Sequence, residues 1–145
     1  MRASAQQRRE QSARAIAELI EQLSRSLLNG SSAHGLNPAQ WSALRYFAAA
    51  NESARQVGAF ARFHLTTPSS ASQTVSSLAE KGMVAKTAAS DGRRRTIDLT
   101  TKGRRMLKDD PIVTLSDIIL SLPDERLSTL AETMQLLVQV MHEQD

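Results

Sequence analysis

Along most of this 145-residue chain the apolar residues recur at helical spacing, and only between Met83 and Leu99 does the period change to that of strands. Such a chain has one short hairpin to place and must bury the rest of its apolar surface through helices. Ile16, Ile20, Leu23 and Leu27 are spaced 4, 3 and 4 apart, predicting a helix over about 4–28 that ends at Asn29-Gly30. Asn37-Pro38 gives a cap followed by proline at the first helical position, opening a helix over about 38–50 with Trp41, Leu44 and Phe47 on one side. Ser53-Ala-Arg-Gln56 has the form of a capping box for a third helix over about 54–64, striped by Val57, Phe60 and Ala61. Thr67-Pro68 repeats the cap-plus-proline signal and opens a fourth helix to about Lys81, after which Gly82 can take positive φ. Strands are predicted over about 84–87 and 96–99. Thr100-Thr101 caps a further helix, which Pro111 should break near Asp110. Pro123-Asp-Glu125 starts a last helix with acids in its first turn, and Leu127, Leu130, Met134, Leu137, Val138 and Met141 form its seam. The fold class is mainly α with a small β-hairpin wing.

Several function classes are excluded by what the chain lacks. It has no cysteine, which removes disulfides, thiolate metal sites and thiol redox sensing together. No apolar run approaches the roughly 20 residues that span a bilayer, and Met1–Glu10 lacks the apolar stretch of a signal peptide, so the expectation is a cytoplasmic protein with no membrane partner. Of the three histidines, His34, His64 and His142, no pair has helical ligand spacing. With no glycine-rich phosphate loop and no nucleophile elbow, the sequence predicts neither an enzyme nor a cofactor.

Charge is distributed unevenly. Residues 1–110 carry 17 Lys/Arg and 9 Asp/Glu, a balance of +8, whereas residues 111–145 carry one base and six acids, a balance of −5. The first part suits a polyanion and the second would be repelled by one. Position gives this meaning. The third and fourth helices are joined by the brief link His64-Leu-Thr-Thr67, the layout of a helix-turn-helix whose second helix lies in a major groove. On that fourth helix Ala71, Val75 and Leu78 share one face, and the other offers Ser69, Ser70, Ser72, Gln73, Ser76 and Ser77. Small hydroxyls allow close approach to a duplex, and Gln73 can contact adenine in a bidentate way. The alternative is a serine-rich solvated helix. Asp91-Gly-Arg-Arg-Arg95 follows at a tight turn, where three adjacent arginines repel one another unless a minor groove receives them. Strand alternation places neighbouring arginines on different faces, and Asp91 can orient a nearby guanidinium. Arg55, Arg62, Lys81 and Lys86 are the expected phosphate contacts.

Leu78-Ala-Glu-Lys-Gly-Met-Val84, then Asp91-Gly-Arg-Arg-Arg-Thr-Ile-Asp-Leu-Thr-Thr-Lys-Gly103, resembles the signature of the MarR (multiple antibiotic resistance regulator) family, and Asn37–Leu44 resembles that family's second helix. The resemblance implies a winged helix-turn-helix over 34–103, with 1–33 and 104–145 forming a helical dimerisation region. It implies a homodimeric, sequence-specific regulator, a repressor, on a pseudo-palindromic double-stranded DNA operator. Ser70, Ser72, Gln73 and Ser76 would lie on the recognition helix, and Arg93 and Arg94 on the wing. Ile16, Ile20, Leu23, Leu27, Leu127, Leu130, Met134, Leu137 and Met141 would bury each other within and between chains; a monomeric helical bundle is the alternative. Proteins of this resemblance are released from DNA by small aromatic or phenolic effectors, for which Trp41, Arg45, Phe60 and His64 are candidate pocket residues, with core packing the alternative for Trp41. Two other readings are a winged-helix protein-interaction module and a non-specific architectural DNA binder. Pro111 departs from the family's single connecting helix, and the missing cysteine excludes its thiol-based peroxide sensors.

Overall fold

The structure, a computed structural model, describes residues 4–144. The chain divides into two compact units, one up to Pro38 and one from Ala39 onward, each described by itself.

The first unit is built on α1, Ala5–Ser31. Ser4 opens it with a capping box, its hydroxyl accepting from the Gln7 amide while the Gln7 side chain accepts from the Ser4 amide at 2.8 Å. Asn29-Gly30 does not end this helix, in contrast to the expectation from the sequence. The helix runs through to Ser31, a 3₁₀ turn follows at Ser32–His34, and the left-handed position is taken by Gly35 at φ +72°. A glycine stops a helix only where the chain must turn, and the residue that does so here lies five positions after Gly30.

In the second unit come α2 (Pro38–Ala49), a 3₁₀ turn (Glu52–Ala54), α3 (Val57–Phe63), α4 (Pro68–Glu80), β1 (Val84–Ala88), β2 (Arg95–Leu99), α5 (Thr101–Met106), a 3₁₀ turn (Leu107–Asp109), α6 (Ile112–Leu120) and α7 (Asp124–His142). The capping box expected at Ser53–Gln56 does not form. Asn51 takes the capping role instead, its side chain accepting from the Ala54 amide at 3.1 Å, and Gln56 precedes α3 with no side-chain cap. A side chain that can cap at either of two nearby positions goes to the one whose turn the tertiary contacts favour. The break at Pro111 is present, with Asp110 extended between the 3₁₀ turn and α6.

The core of this unit draws on every element of the winged segment: Trp41, Leu44 and Phe47 from α2, Phe60 and Ala61 from α3, Ala71, Val75 and Leu78 from α4, and Met83, Val84, Ile97 and Leu99 from the hairpin. Phe47 and Phe60 meet at a ring separation of 5.6 Å, and the His64 ring stacks on Phe60 at 5.3 Å. The strands pair antiparallel with Val84 opposite Leu99 and Ala88 opposite Arg95. A two-stranded hairpin is marginal alone, and here the Arg55 carbonyl adds a bridge on the outer side of β2 by accepting from the Ile97 amide at 2.8 Å.

The end of α4 is closed by a Schellman arrangement, in which Gly82 at φ +72° donates to Ala79 and Met83 donates to Leu78, turning the chain directly into β1. After β2, Thr100 caps α5 through the Gly103 amide, and its hydroxyl donates back to the Gly82 carbonyl at 2.6 Å. The hairpin is thus tied at its base to the helices on both sides of it in sequence.

Candidate nucleic-acid interface

The fourth helix is anchored before it is exposed. The Thr67 hydroxyl accepts from the Ser70 amide at 3.1 Å, with proline at the first helical position. Ala71, Val75 and Leu78, at helical spacing, seat one face in the core. The opposite face therefore points outward, and Ser69, Ser70, Ser72, Gln73 and Ser76 are all exposed on it. Ser77 is not on that free face. It is half-buried, and its hydroxyl accepts from the amide of Gln40, a buried α2 residue, at 2.8 Å. The same Gln40 side chain accepts from the Lys81 ammonium at 3.3 Å, so Lys81 helps hold α4 against α2. Between α3 and α4 the turn passes through Leu65 at φ +52°, a left-handed conformation that costs an L-residue about 1–2 kcal/mol.

The wing is shaped by its own turn. The Ala89 amide donates to the Arg94 carbonyl at 2.8 Å and the Gly92 amide to Ala89 at 2.9 Å, with Gly92 at φ +69°. Asp91 accepts from the Arg93 and Arg94 amides at 3.0 and 3.3 Å and from the Arg94 guanidinium at 3.2 Å. The two backbone amides, and then the guanidinium, hold its carboxyl below the ordinary carboxylate value against the opposing effect of burial. Of the three arginines, Arg94 is thus oriented by Asp91, while Arg93 and Arg95 extend into solvent on either side of it. Lys86 and Arg62 are also exposed.

Arg55, expected to contact phosphate, is engaged within the domain. Its guanidinium is a third exposed and pairs with Asp98 on β2. Asp98 also accepts from the Thr87 hydroxyl across the hairpin and from the Thr96 hydroxyl on its own strand. Burial raises the Asp98 carboxyl, but the hydrogen bonds from Thr87 and Thr96 and the charge of Arg55 outweigh it and leave its pKa lowered.

The expected ligand-pocket residues divide between the core and a surface cleft. Trp41 and Phe60 are buried in the core, and half-buried His64 stacks on Phe60 with its Nδ1 3.0 Å from the Ser42 hydroxyl. Arg45 lines a cleft of about 550 Å³, whose other walls include Ser42, Tyr46, Ala49 and Phe63. Tyr46 and Phe63 lie 5.0 Å apart there, and the Tyr46 hydroxyl donates to the Ala54 carbonyl. The sequence signal for them was their place beside the apolar stripes, Tyr46 next to Phe47 and Phe63 three residues after Phe60. Arg45 itself pairs with the buried carboxylate of Asp110 at 2.7 Å. Among the described residues no group of three His, Cys, Asp or Glu is placed to hold a metal ion, and no helix is long and apolar enough to cross a membrane.

A recognition-type helix, a paired-strand wing and a basic turn in this order specify a winged helix-turn-helix, and residues 34–95 match the model of the MarR family. This winged helix is a MarR-family domain. Members of the MarR family are transcription regulators and not enzymes. No curated protein sequence matches it. Among solved structures, a MarR family transcriptional regulator from Silicibacter pomeroyi DSS is similar at a TM-score of 0.72 and 21% identity, over 94% of this chain and 92% of that one. The MepR–DNA complex of S. aureus is similar at 0.69 and 13%, over 88% and 94%. CouR from Rhodococcus jostii RHA1, bound to p-coumaroyl-CoA, is similar at 0.69 and 22%, over 84% and 90%. At these identities the likeness is one of fold.

Proposed function

We propose that this MarR-family protein is a homodimeric, sequence-specific DNA-binding repressor. The observation that carries the reading is the outer face of α4, where exposed Ser69, Ser70, Ser72, Gln73 and Ser76 stand on a helix held by its buried side, beside a wing of three arginines. Gln73 and the serines read base edges, while Arg93, Arg94, Arg95, Arg62 and Lys86 contact phosphates or the minor groove. In a dimer the two α4 helices enter successive major grooves of a pseudo-palindromic operator whose half-sites lie about 10 base pairs apart. The MepR–DNA complex supports the DNA partner by analogy of fold. A small aromatic effector is the proposed releasing signal, favoured by the cleft beside Tyr46 and Phe63 and by the p-coumaroyl-CoA bound to CouR.

Fluorescence anisotropy on DNA from upstream of the protein's own gene, against a shuffled duplex and across a salt series, tests the reading. A preference of about a thousandfold with affinity falling steeply in salt is expected of a specific regulator. Equal affinity for both duplexes would point to an architectural binder, and no binding at low salt to a protein-interaction module.

A further inference from the structure

The seven residues that join α2 to α3 grip the wing at its turn and along its second strand. Asn51 closes their 3₁₀ turn, accepting from the Ala54 amide at 3.1 Å and from the Ser53 hydroxyl at 2.7 Å, and so fixes where the Glu52 side chain begins. From that base Glu52 Oε1 accepts both the backbone amide of Ser90, at 2.8 Å, and its hydroxyl, at 2.6 Å. Three residues later Arg55 meets β2, its carbonyl accepting from the Ile97 amide and its guanidinium pairing with Asp98. Glu52 holds the turn of the hairpin and Arg55 holds its second strand, and the segment that carries both runs straight into α3. The internal bonds of the wing, from Ala89 to Arg94 and around Asp91, fix the shape of the turn but not its inclination to the body of the domain. The Ser90 hydroxyl, then the Ser90 amide, keep the Glu52 carboxyl below its ordinary value, so at neutral pH the acceptor is charged and both bonds are of the stronger kind.

We propose that Glu52 is a positioning residue for DNA binding: with the Arg55 carbonyl it sets the pose of the wing against α3 and α4, and hence where Arg93, Arg94 and Arg95 meet a duplex. The inference rests on the DNA-binding reading above. Simple electrostatics makes the opposite forecast. Glu52 is an acid close to a basic wing, and its removal should leave attraction to a polyanion unchanged or strengthened.

The test is anisotropy of the full chain on duplex from upstream of its own gene, in a salt series, for wild type, Glu52→Ala, Glu52→Gln and Ser90→Ala, with thermal melting of each. Glu52→Ala should weaken binding by about an order of magnitude and make the salt slope shallower by about one for each phosphate that the wing no longer reaches. Glu52→Gln keeps an acceptor oxygen and should restore most of the affinity. Ser90→Ala keeps the amide bond and should fall between, and melting temperatures should stay close to wild type. Wild-type or tighter binding by Glu52→Ala overturns the inference, as does a loss that follows melting temperature and is not rescued by Gln. If Glu52→Ala does not fold, Ser90→Ala decides: undiminished affinity overturns the inference. A wild type that binds no DNA at low salt defeats the functional reading itself, and the inference with it, whereas a wild type that binds and an unchanged Glu52→Ala defeat the inference alone.

Discussion

Single residues settle how closely the elements of the winged segment can approach. A Cβ built on Gly103 would lie 2.1 Å from the Met83 carbonyl oxygen, a contact with backbone that no rotamer can relieve. That carbonyl already accepts from the Thr100 amide at 3.0 Å, so it cannot swing aside without losing the bond that joins β1 to the start of α5. Gly103→Ala should therefore destabilise the fold by about 1–3 kcal/mol, and a urea unfolding midpoint equal to wild type would contradict the close approach. Asp98 acts through charge. Its pKa lies below the ordinary 3.8, so the folded state binds this proton less readily than the unfolded chain does. The resulting stabilisation is complete above about pH 4 and fades as pH falls below that value through the lowered folded pKa. Asp98→Asn should thus be less stable than wild type at neutral pH, and the gap should narrow as pH falls below about 4. A gap that is constant with pH in chemical denaturation would show that the carboxylate charge contributes nothing.

At the scale of elements, Arg45 joins α2 to the point where the C-terminal helices begin. Its guanidinium, about a third exposed, reaches the Asp110 carboxylate, whose side chain is 3% exposed, and Asp110 also caps the turn into α6 by accepting from the Ile112 amide at 3.0 Å. Arg45→Ala would leave a buried carboxylate with one donor fewer, a loss of about 1–3 kcal/mol. The double variant Arg45→Ala, Asp110→Ala should cost less in all than the sum of the single changes, and strict additivity in urea denaturation would mean the pair is not coupled. Pro111 forecast the break at this junction because proline removes a donor wherever it falls, but no pattern in the sequence tells Arg45 to cross 65 positions to Asp110. The same division holds across the winged segment. The buried stripe of α4, the hairpin and the Gly82 turn follow from spacing and backbone chemistry, which are local. The Asn51 cap that displaced the expected box at Ser53, the diversion of Arg55 to Asp98, the loss of Ser77 to Gln40 and the Glu52–Ser90 contact all depend on distant partners. Trp41 and Phe60 were candidates for a pocket because large aromatics serve cores and ligands alike, and only the packing shows that both are core.

For the whole molecule the unmet demand is apolar surface. No residue of α6 or α7 is buried, and Ile118, Leu120, Leu136 and Met141 are all about 60% exposed or more. On α1, Ile16 and Leu19 are more than half exposed as well. A lone chain seldom leaves so much apolar surface in water, and a symmetric pairing of two copies is the economical way to cover it. Leu130 and Leu137 lie one heptad apart on α7 and are 37% and 42% exposed. Replacing both with Glu puts charge into any interface this seam makes while removing nothing from the core of the winged segment. Wild type should sediment as a dimer, with a melting temperature that rises with protein concentration, as expected when folding and association are linked. The doubly substituted chain should sediment as a monomer, melt at a temperature independent of concentration, and bind a two-half-site duplex little better than a single half-site. A substituted chain that stays dimeric would move the interface off the α7 seam. One that becomes monomeric yet keeps full preference for the paired site would separate dimerisation from DNA recognition, which the pairing of two α4 helices on successive major grooves does not allow.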